Sequence, residues 1–533
     1  MGQLKERQRQ SAPTSMGTSI VIMMIALVLS KITGQLREIL AANRFGFAAL
    51  NDAFIQGFLI PDFVYEILIG GSIQAALVPT LSGALGSKEE DSTWRSVSIF
   101  ISFMSLLMLA VLIVCEIFAP QLMAIFARTD NHELVTKVAR TLFPQTFFMM
   151  LAALCIGVLN SYRQFTRTAF GPVLYNCFVV TSLLLFAKAT PAAVQRVAVG
   201  IVFGAFAYFL FQAFLGRREL RNFSFSLDFK DSGFRRLLWL SLPTLLASSI
   251  PQLNNIILNS FMKSFPKGAP TALRSATTLW MLPWGVFAVA IGNVLLPSLS
   301  QSVARDNKSE TANLLSESLR RALFLTIPCA IIFLFMRYDI VRGVYQWNVD
   351  MFNDEAVFTT GNMLFWFCFT IVTHTFVTIM NQAYFAVKKT FMPLINSVIS
   401  LCMTAGFGYL FSHKTALGIS GLSLGYALGS LIGAAFMFLS FRKMHPELAR
   451  FNLLPFLGKV VLGILGIVAV LLPLRLMIGY WVPTGKWLQL LWLFFWSLLA
   501  ILAYGAIAYL LDIDEIKQMI GPLTKFFQRM RKD

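Results

Sequence analysis

Apolar runs of about 20 residues recur from one end of this chain to the other, the length a helix needs to cross a ~30 Å hydrocarbon core. "IVIMMIALVLSKITGQLREIL" at 20–40 opens the series, and "LGILGIVAVLLPLRLMIGYW" at 462–481 lies near its end. In lipid every backbone polar group must be satisfied internally, so only helices and closed barrels span. Barrel strands would alternate over about 10 residues, and that pattern is missing. Of the 533 residues, 57% are hydrophobic and only 13% charged, against roughly 25% charged in soluble domains. The expected fold is therefore all-α, a polytopic membrane protein.

Apolar runs between polar breaks predict about 14 helices. They fall near 16–36, 50–84, 95–119, 138–161, 169–189, 193–215, 235–262, 271–302, 315–336, 357–386, 391–412, 417–441, 455–479 and 487–511. The second and eighth runs are too long for a simple crossing. Each carries prolines and glycines (Pro61, Gly70, Gly71, Pro79; Pro283, Gly285, Gly292, Pro297), so each is expected to be bent or broken. The polar start MGQLKERQRQSAPTS precedes a run too long for a signal-peptide core, which reads as a retained first helix. The larger share of Lys and Arg falls in loops on the side of the N-terminal tail. Both termini are therefore expected in the cytoplasm.

Net charge is +18, yet no basic domain stands apart from the helices, so nucleic acid is not an expected partner. The longest basic connection, GRRELRNFSFSLDFKDSGFRR, follows helix six. It reads as a topology anchor and linker, with acidic lipid headgroups as its alternative ligand. An internal repeat supports a division there. "LNSYRQFTRTAFGPVLYN" (159–176) is echoed by "MNQAYFAVKKTFMPLIN" (380–396), and "ALVPTLSGAL" (76–85) by "VLLPSLSQSV" (294–303). An even number of helices separates the copies, which predicts two lobes of like orientation, the parallel repeat of a two-lobed transporter. The expected parts are a tail at 1–15, an N-lobe at 16–216, a linker at 217–234 and a C-lobe at 235–445. Two further helices follow at 446–515, then a basic tail at 516–533.

Signals for catalysis are few. There is no GxxxxGK[ST] phosphate loop, HExxH, GxSxG or Asp-rich metal motif. The six cysteines lie singly without CxxC spacing and read as packing residues. Among four histidines only His374 is intramembrane, where a lone imidazole is expected to be packed rather than ligating. Asp52 and Asp62 could serve a membrane glycosyltransferase, but a transporter is the stronger reading, with no enzyme activity, resident cofactor or metal expected.

One stretch points further. "SKITGQLREILAANRFG…NDAFIQGFLIPDFVYEILIGGSIQAALVPTL" resembles the opening of the MurJ (MviN) lipid II flippases of the multidrug/oligosaccharidyl-lipid/polysaccharide exporter superfamily. Ser30, Gly34, Arg37, Glu38, Asp52, Ala53, Phe54, Pro61, Val78 and Pro79 stand at the family's spacing. "LPWGVFAVAIGNVLLPSLS" and the two Asn…Phe-x-Pro segments extend the likeness over helices 1–12. The family's first arginine is Lys31 here, its Pro-Asn is Pro61-Asp62, and the arginine after it is Tyr65. A further arginine of helix eight is Thr278, with Arg274 one turn earlier on the same face.

The resemblance implies a two-lobed, V-shaped bundle around a cationic cavity. It further implies alternating access moving undecaprenyl-pyrophosphate-linked peptidoglycan precursor from inner to outer leaflet of the bacterial cytoplasmic membrane. Helices 13 and 14 would hold the lipid tail. Lys31, Arg37 and Arg274 are the candidate cations for the pyrophosphate, with Asp52, Tyr65 and Thr278 beside them as substrate contacts. Each also has a structural reading: Arg37 and Glu38 snorkelling at a helix end, Lys31 paired with Glu38, Arg274 a loop-end residue, Asp52 at a helix N-terminus. Gly70, Gly71, Gly285 and Gly292 are candidate hinges or, equally, close packing positions. Membrane potential or an ion gradient would supply energy. Membrane lipids and the glycolipid are the expected partners of a monomer. Another polyprenyl-pyrophosphate glycan is the alternative cargo, and a cation-coupled drug exporter a more distant one.

Overall fold

The computed structural model describes residues 16–70, 73–128, 131–448, 453–477 and 485–517. Among them every regular element is a helix. We number the long ones α1 (Met16–Phe45), α3 (Glu90–Ile117), α4 (His132–Ser161), α5 (Gly171–Phe186), α6 (Pro191–Leu215) and α7 (Ser232–Phe261). Then come α9 (Lys308–Tyr345), α10 (Asp354–Ala386), α11 (Phe391–His413), α12 (Ser420–Met444), α13 (Leu453–Met477) and α14 (Lys486–Leu510). Two runs are interrupted, as their prolines and glycines require. α2 consists of Ala49–Gly57, Leu59–Leu68, a π turn at Ile73–Leu77 and Val78–Ala84. α8 consists of Ala269–Pro283, a π turn at Trp284–Ala288 and Val289–Ala304.

Eleven of these helices are long and apolar enough to span a bilayer; the other three are α1, the broken α2 and α7. The breaks have local causes. Pro61 has no amide hydrogen, and its ring would meet the carbonyl of Gly57, where the preceding piece ends. In α8 the π turn begins directly after Pro283. Helix starts are capped where the sequence supplies an oxygen: Thr190 for α6, Asp231 for α7, Asn307 for α9 and Asn353 for α10.

The chain forms two compact units, Met1–Lys263 and Ser264–Asp533, so α7 belongs with the first. In the first unit α4 is central. It packs on α6, on the pieces of α2 and on α3. Close approach is possible because glycines stand at the crossings. A Cβ on Gly57 would lie 2.5 Å from Val138 Cγ1, and one on Gly157 would lie 2.6 Å from Ile73 Cγ2 in the π turn of α2.

The connection from α6 to α7 is held by α3. The backbone N–H groups of Ser224 and Ser226 donate to Ser98 and Ser102 Oγ at 3.2 and 3.4 Å. Arg95 pairs with Asp228 at 2.9 Å, and Ser96 donates to the α7 cap Asp231 at 2.6 Å. Burial alone would raise the Asp231 carboxyl. The Ser96 hydroxyl, the Phe234 and Gly233 N–H groups and Arg95 outweigh it and hold the group below the ordinary carboxylate range.

In the second unit α10 is central, packed by α9, α12 and both pieces of α8. α12 carries Gly421, Gly425, Gly429 and Gly433 at four-residue spacing, a stripe of small residues that lets helix backbones meet. α11 lies against it. A Cβ on Gly425 would fall 2.3 Å from the Gly408 nitrogen and 2.5 Å from its Cα, with backbone unable to move aside. All six cysteines are free.

Gly425→Ala should therefore lower stability by about 1–3 kcal/mol, read as the thermal-unfolding midpoint of detergent-purified protein. Gly406→Ala on α11, where a Cβ meets nothing within 4 Å, should leave that midpoint unchanged.

Candidate functional site

In the first unit, α1 carries two of the candidate cations. Lys31 is exposed and makes no hydrogen bond or ion pair with any described residue. Its helix is fixed by α5: Asn176 Nδ2 donates to the Ser30 carbonyl at 3.2 Å, and Gly34 lies beneath the same amide. Two turns on, Arg37 Nη2 meets Glu38 Oε1 at 2.8 Å, with both side chains mostly buried (22% and 13% exposed). Residue 37 is thus committed to its neighbour, while Lys31 is available to an external anion.

The α2 candidates occupy different settings. Asp52 is 3% exposed and lies in the first turn of the Ala49–Gly57 piece, where a carboxylate meets the positive end of the helix. Tyr65 is half-buried against the core of the unit. Beside it is a residue that sequence reasoning passed over, Glu66. It stands four residues after Asp62 on an apolar helix, and that spacing of two carboxylates within a membrane run was the available signal.

The Glu66 carboxylate lies against Gly70, and Ser248 of α7 donates to the carbonyls of Gly70 (2.7 Å) and Glu66 (3.2 Å). A Cβ on Gly70 would sit 2.2 Å from Glu66 Oε2 and 2.4 Å from Ser248 Oγ. Gly71 lies outside the described residues.

In the second unit, Arg274 is exposed on the first piece of α8, and Thr278 one turn later donates to the Arg274 carbonyl at 2.9 Å. The following π turn includes Gly285, where an added Cβ would meet nothing within 4 Å. Gly292 has only ordinary contacts with Thr378 and Gln382 on α10. Trp284 Nε1 donates to Thr378 Oγ1 at 3.0 Å. His374 is packed among rings, 5.0 Å from Trp280, 6.0 Å from Trp284 and stacked at 5.7 Å on Tyr426. No group of three His, Cys, Asp or Glu among the described residues could hold a metal ion.

Helices of spanning length and long helices interrupted by π turns in both units define a polytopic, all-helical membrane fold. Solved structures share it. One titled "Lipid II flippase MurJ, inward closed conformation" matches over 93% of this chain and all of that one, with a TM-score of 0.78 at 23% identity. An inward-facing multidrug resistance MATE family transporter of the MOP superfamily covers 81% of this chain and 99% of its own, with a TM-score of 0.66 at 17% identity. The chain belongs to the lipid II flippase MurJ family, whose model matches residues 41–491. Among its relatives, the probable lipid II flippase MurJ of Buchnera aphidicola is 25% identical over 479 residues, covering 87% of this chain and 91% of the relative. The lipid II flippase MurJ of Burkholderia cenocepacia is 26% identical over 432 residues, covering 78% and 82%.

The two glycine environments separate packing from hinge action. Gly70→Ala should destabilise the protein by about 1–3 kcal/mol. Gly285→Ala should leave thermal stability unchanged, so a loss of transport in that variant alone would report backbone motion at the π turn.

Proposed function

We propose that this protein moves lipid II from the inner to the outer leaflet of the bacterial cytoplasmic membrane, with both termini in the cytoplasm. The observation that carries this reading is family membership across residues 41–491, a span that contains the whole of both broken helices. A lipid-linked pyrophosphate must bring a dianion and a polar headgroup across hydrocarbon, which calls for cations at membrane depth. Lys31 and Arg274 are those cations. Lys31 is exposed with no partner among the described residues, so it can exchange water for phosphate oxygens without first breaking an ion pair.

Arg37, already on Glu38, acts on the shape of α1 more than on substrate. A lysine at 31 offers a point charge rather than the bidentate fork of arginine, so the first contact discriminates weakly between phosphate geometries. Tyr65 and Thr278 are neutral hydrogen-bonding groups where the family resemblance leads one to expect arginine. The energy is electrical or ionic. An inside-negative potential drives an anion outward, at about 2.3 kcal/mol per elementary charge per 100 mV.

The test is replacement. In a host depleted of its essential lipid II flippase, this gene should restore growth and the arrival of lipid II in the outer leaflet. Correct membrane insertion without rescue would move the cargo to another polyprenyl-pyrophosphate glycan. In the rescued strain, Lys31→Ala and Arg274→Ala should each abolish rescue at normal protein levels. Growth with both variants would remove the two cations from the mechanism.

A further inference from the structure

The α6–α7 connection has chemistry that lipid II transport does not use. Its sequence from Phe223, Phe-Ser-Phe-Ser-Leu-Asp-Phe-Lys, alternates apolar and polar side chains. Ser98 and Ser102 on α3 are one helical turn apart, and they receive the backbone N–H groups of Ser224 and Ser226, two residues apart. That match of roughly 6 Å steps is the pattern of an extended chain laid on a helix. In such a chain alternate side chains share a face. One face carries Ser224, Ser226 and Asp228, and Asp228 is taken by Arg95. The other carries Phe223, Phe225 and Leu227, which are 37%, 65% and 37% exposed, and beyond them the chain turns and the Phe229 ring packs 5.8 Å from Phe103 of α3. Trp239, 74% exposed on the early part of α7, adds to the uncovered apolar surface.

Depth follows from α3. Its 28 residues span about 42 Å, some 12 Å more than the hydrocarbon core. The excess falls mainly in the polar first turns, Glu90 to Ser98, because beyond them only Ser102, Ser105 and, next to the helix end, Glu116 interrupt an apolar run. The connection, held at Ser98 and Ser102, therefore runs along the boundary between headgroups and acyl chains, where aromatic rings partition. Exposed arginines and lysines flank the row on both sides: Arg217, Arg218, Arg221, Lys230, Arg235 and Arg236. Of these, Arg235 is turned back to the Phe229 carbonyl and Arg217 lies over the Phe214 ring.

We infer that residues 217–236 form an interfacial binding site for anionic phospholipids. The Phe and Leu row enters the acyl boundary and the basic residues take the phosphates. Charge complementarity selects the occupant: six exposed cations beside an apolar row match a phosphate joined to an acyl chain.

Purified full-length protein, stripped of lipid and titrated with phosphatidylglycerol or with phosphatidylcholine of the same acyl chains, should retain phosphatidylglycerol preferentially in native mass spectrometry. Arg217→Gln, Arg218→Gln and Arg221→Gln together should weaken that retention at least about tenfold and leave phosphatidylcholine unchanged. The corresponding lysine triple variant should keep it. A control of equal charge change, Lys388→Gln, Lys389→Gln and Arg442→Gln, should behave as wild type. Equal retention of both lipids, an unaltered glutamine variant, or an equally weakened control would overturn the site. Displacement by millimolar inorganic phosphate would overturn it too, by making the ligand a soluble anion. The readout is bound lipid, so it stands or falls separately from transport.

Discussion

Water is absent across about 30 Å of hydrocarbon, and the rest of this structure answers to that fact. A backbone group left unpaired there costs several kcal/mol, so the chain is helical wherever it crosses. Departures from the helix are confined to places with a physical cause and a neighbour. Pro61 and Pro283 remove amide donors in α2 and α8, and π turns follow in both runs. In the first unit the disturbed backbone is served from outside its own helix: Ser248 of α7 donates to the carbonyls of Gly70 and Glu66. Oil on the outside also removes the usual hydrophobic drive between helices, so contact depends on shape. The glycine stripe of α12 against α11, and Gly57 and Gly157 at the α2–α4 crossings, supply that shape.

The same dry medium gives charge its meaning. Arg37 is reconciled with its depth by Glu38, and Asp52 sits in the first turn of a helix, so both have settings that ask nothing of a ligand. Lys31 has no such partner among the described residues. Glu66 and Asp62 add carboxylates in α2, close to the position where the family resemblance calls for arginine.

At the membrane boundary a different rule applies, because water and headgroups can satisfy an irregular backbone. The α6–α7 connection is built for that zone. Serines of α3 take its N–H groups, and the side chains left outward are aromatic on one face and basic at the ends. That arrangement also ties α7 into the first compact unit through the Ser96–Asp231 bond.

Local sequence determined much. Runs of apolar residues marked the crossings, prolines marked the second and eighth as broken, and the motif from Ser30 to Pro79 pointed to the family that the chain proved to belong to. These properties depend on hydropathy and backbone chemistry within a few neighbouring residues, so they are written along the chain. Tertiary structure decided what depends on distant partners. Gly70 and Gly285 look alike in sequence, yet one is walled in by Glu66 and Ser248 and the other faces open space. Arg37 and Lys31 are cations on one helix, yet among the described residues the first has a counter-ion and the second has none. Asn176 reaching Ser30, and Ser98 and Ser102 receiving the backbone 124 to 126 residues away, join positions that no local pattern connects. Packing chooses among such pairs only when the helices have come together.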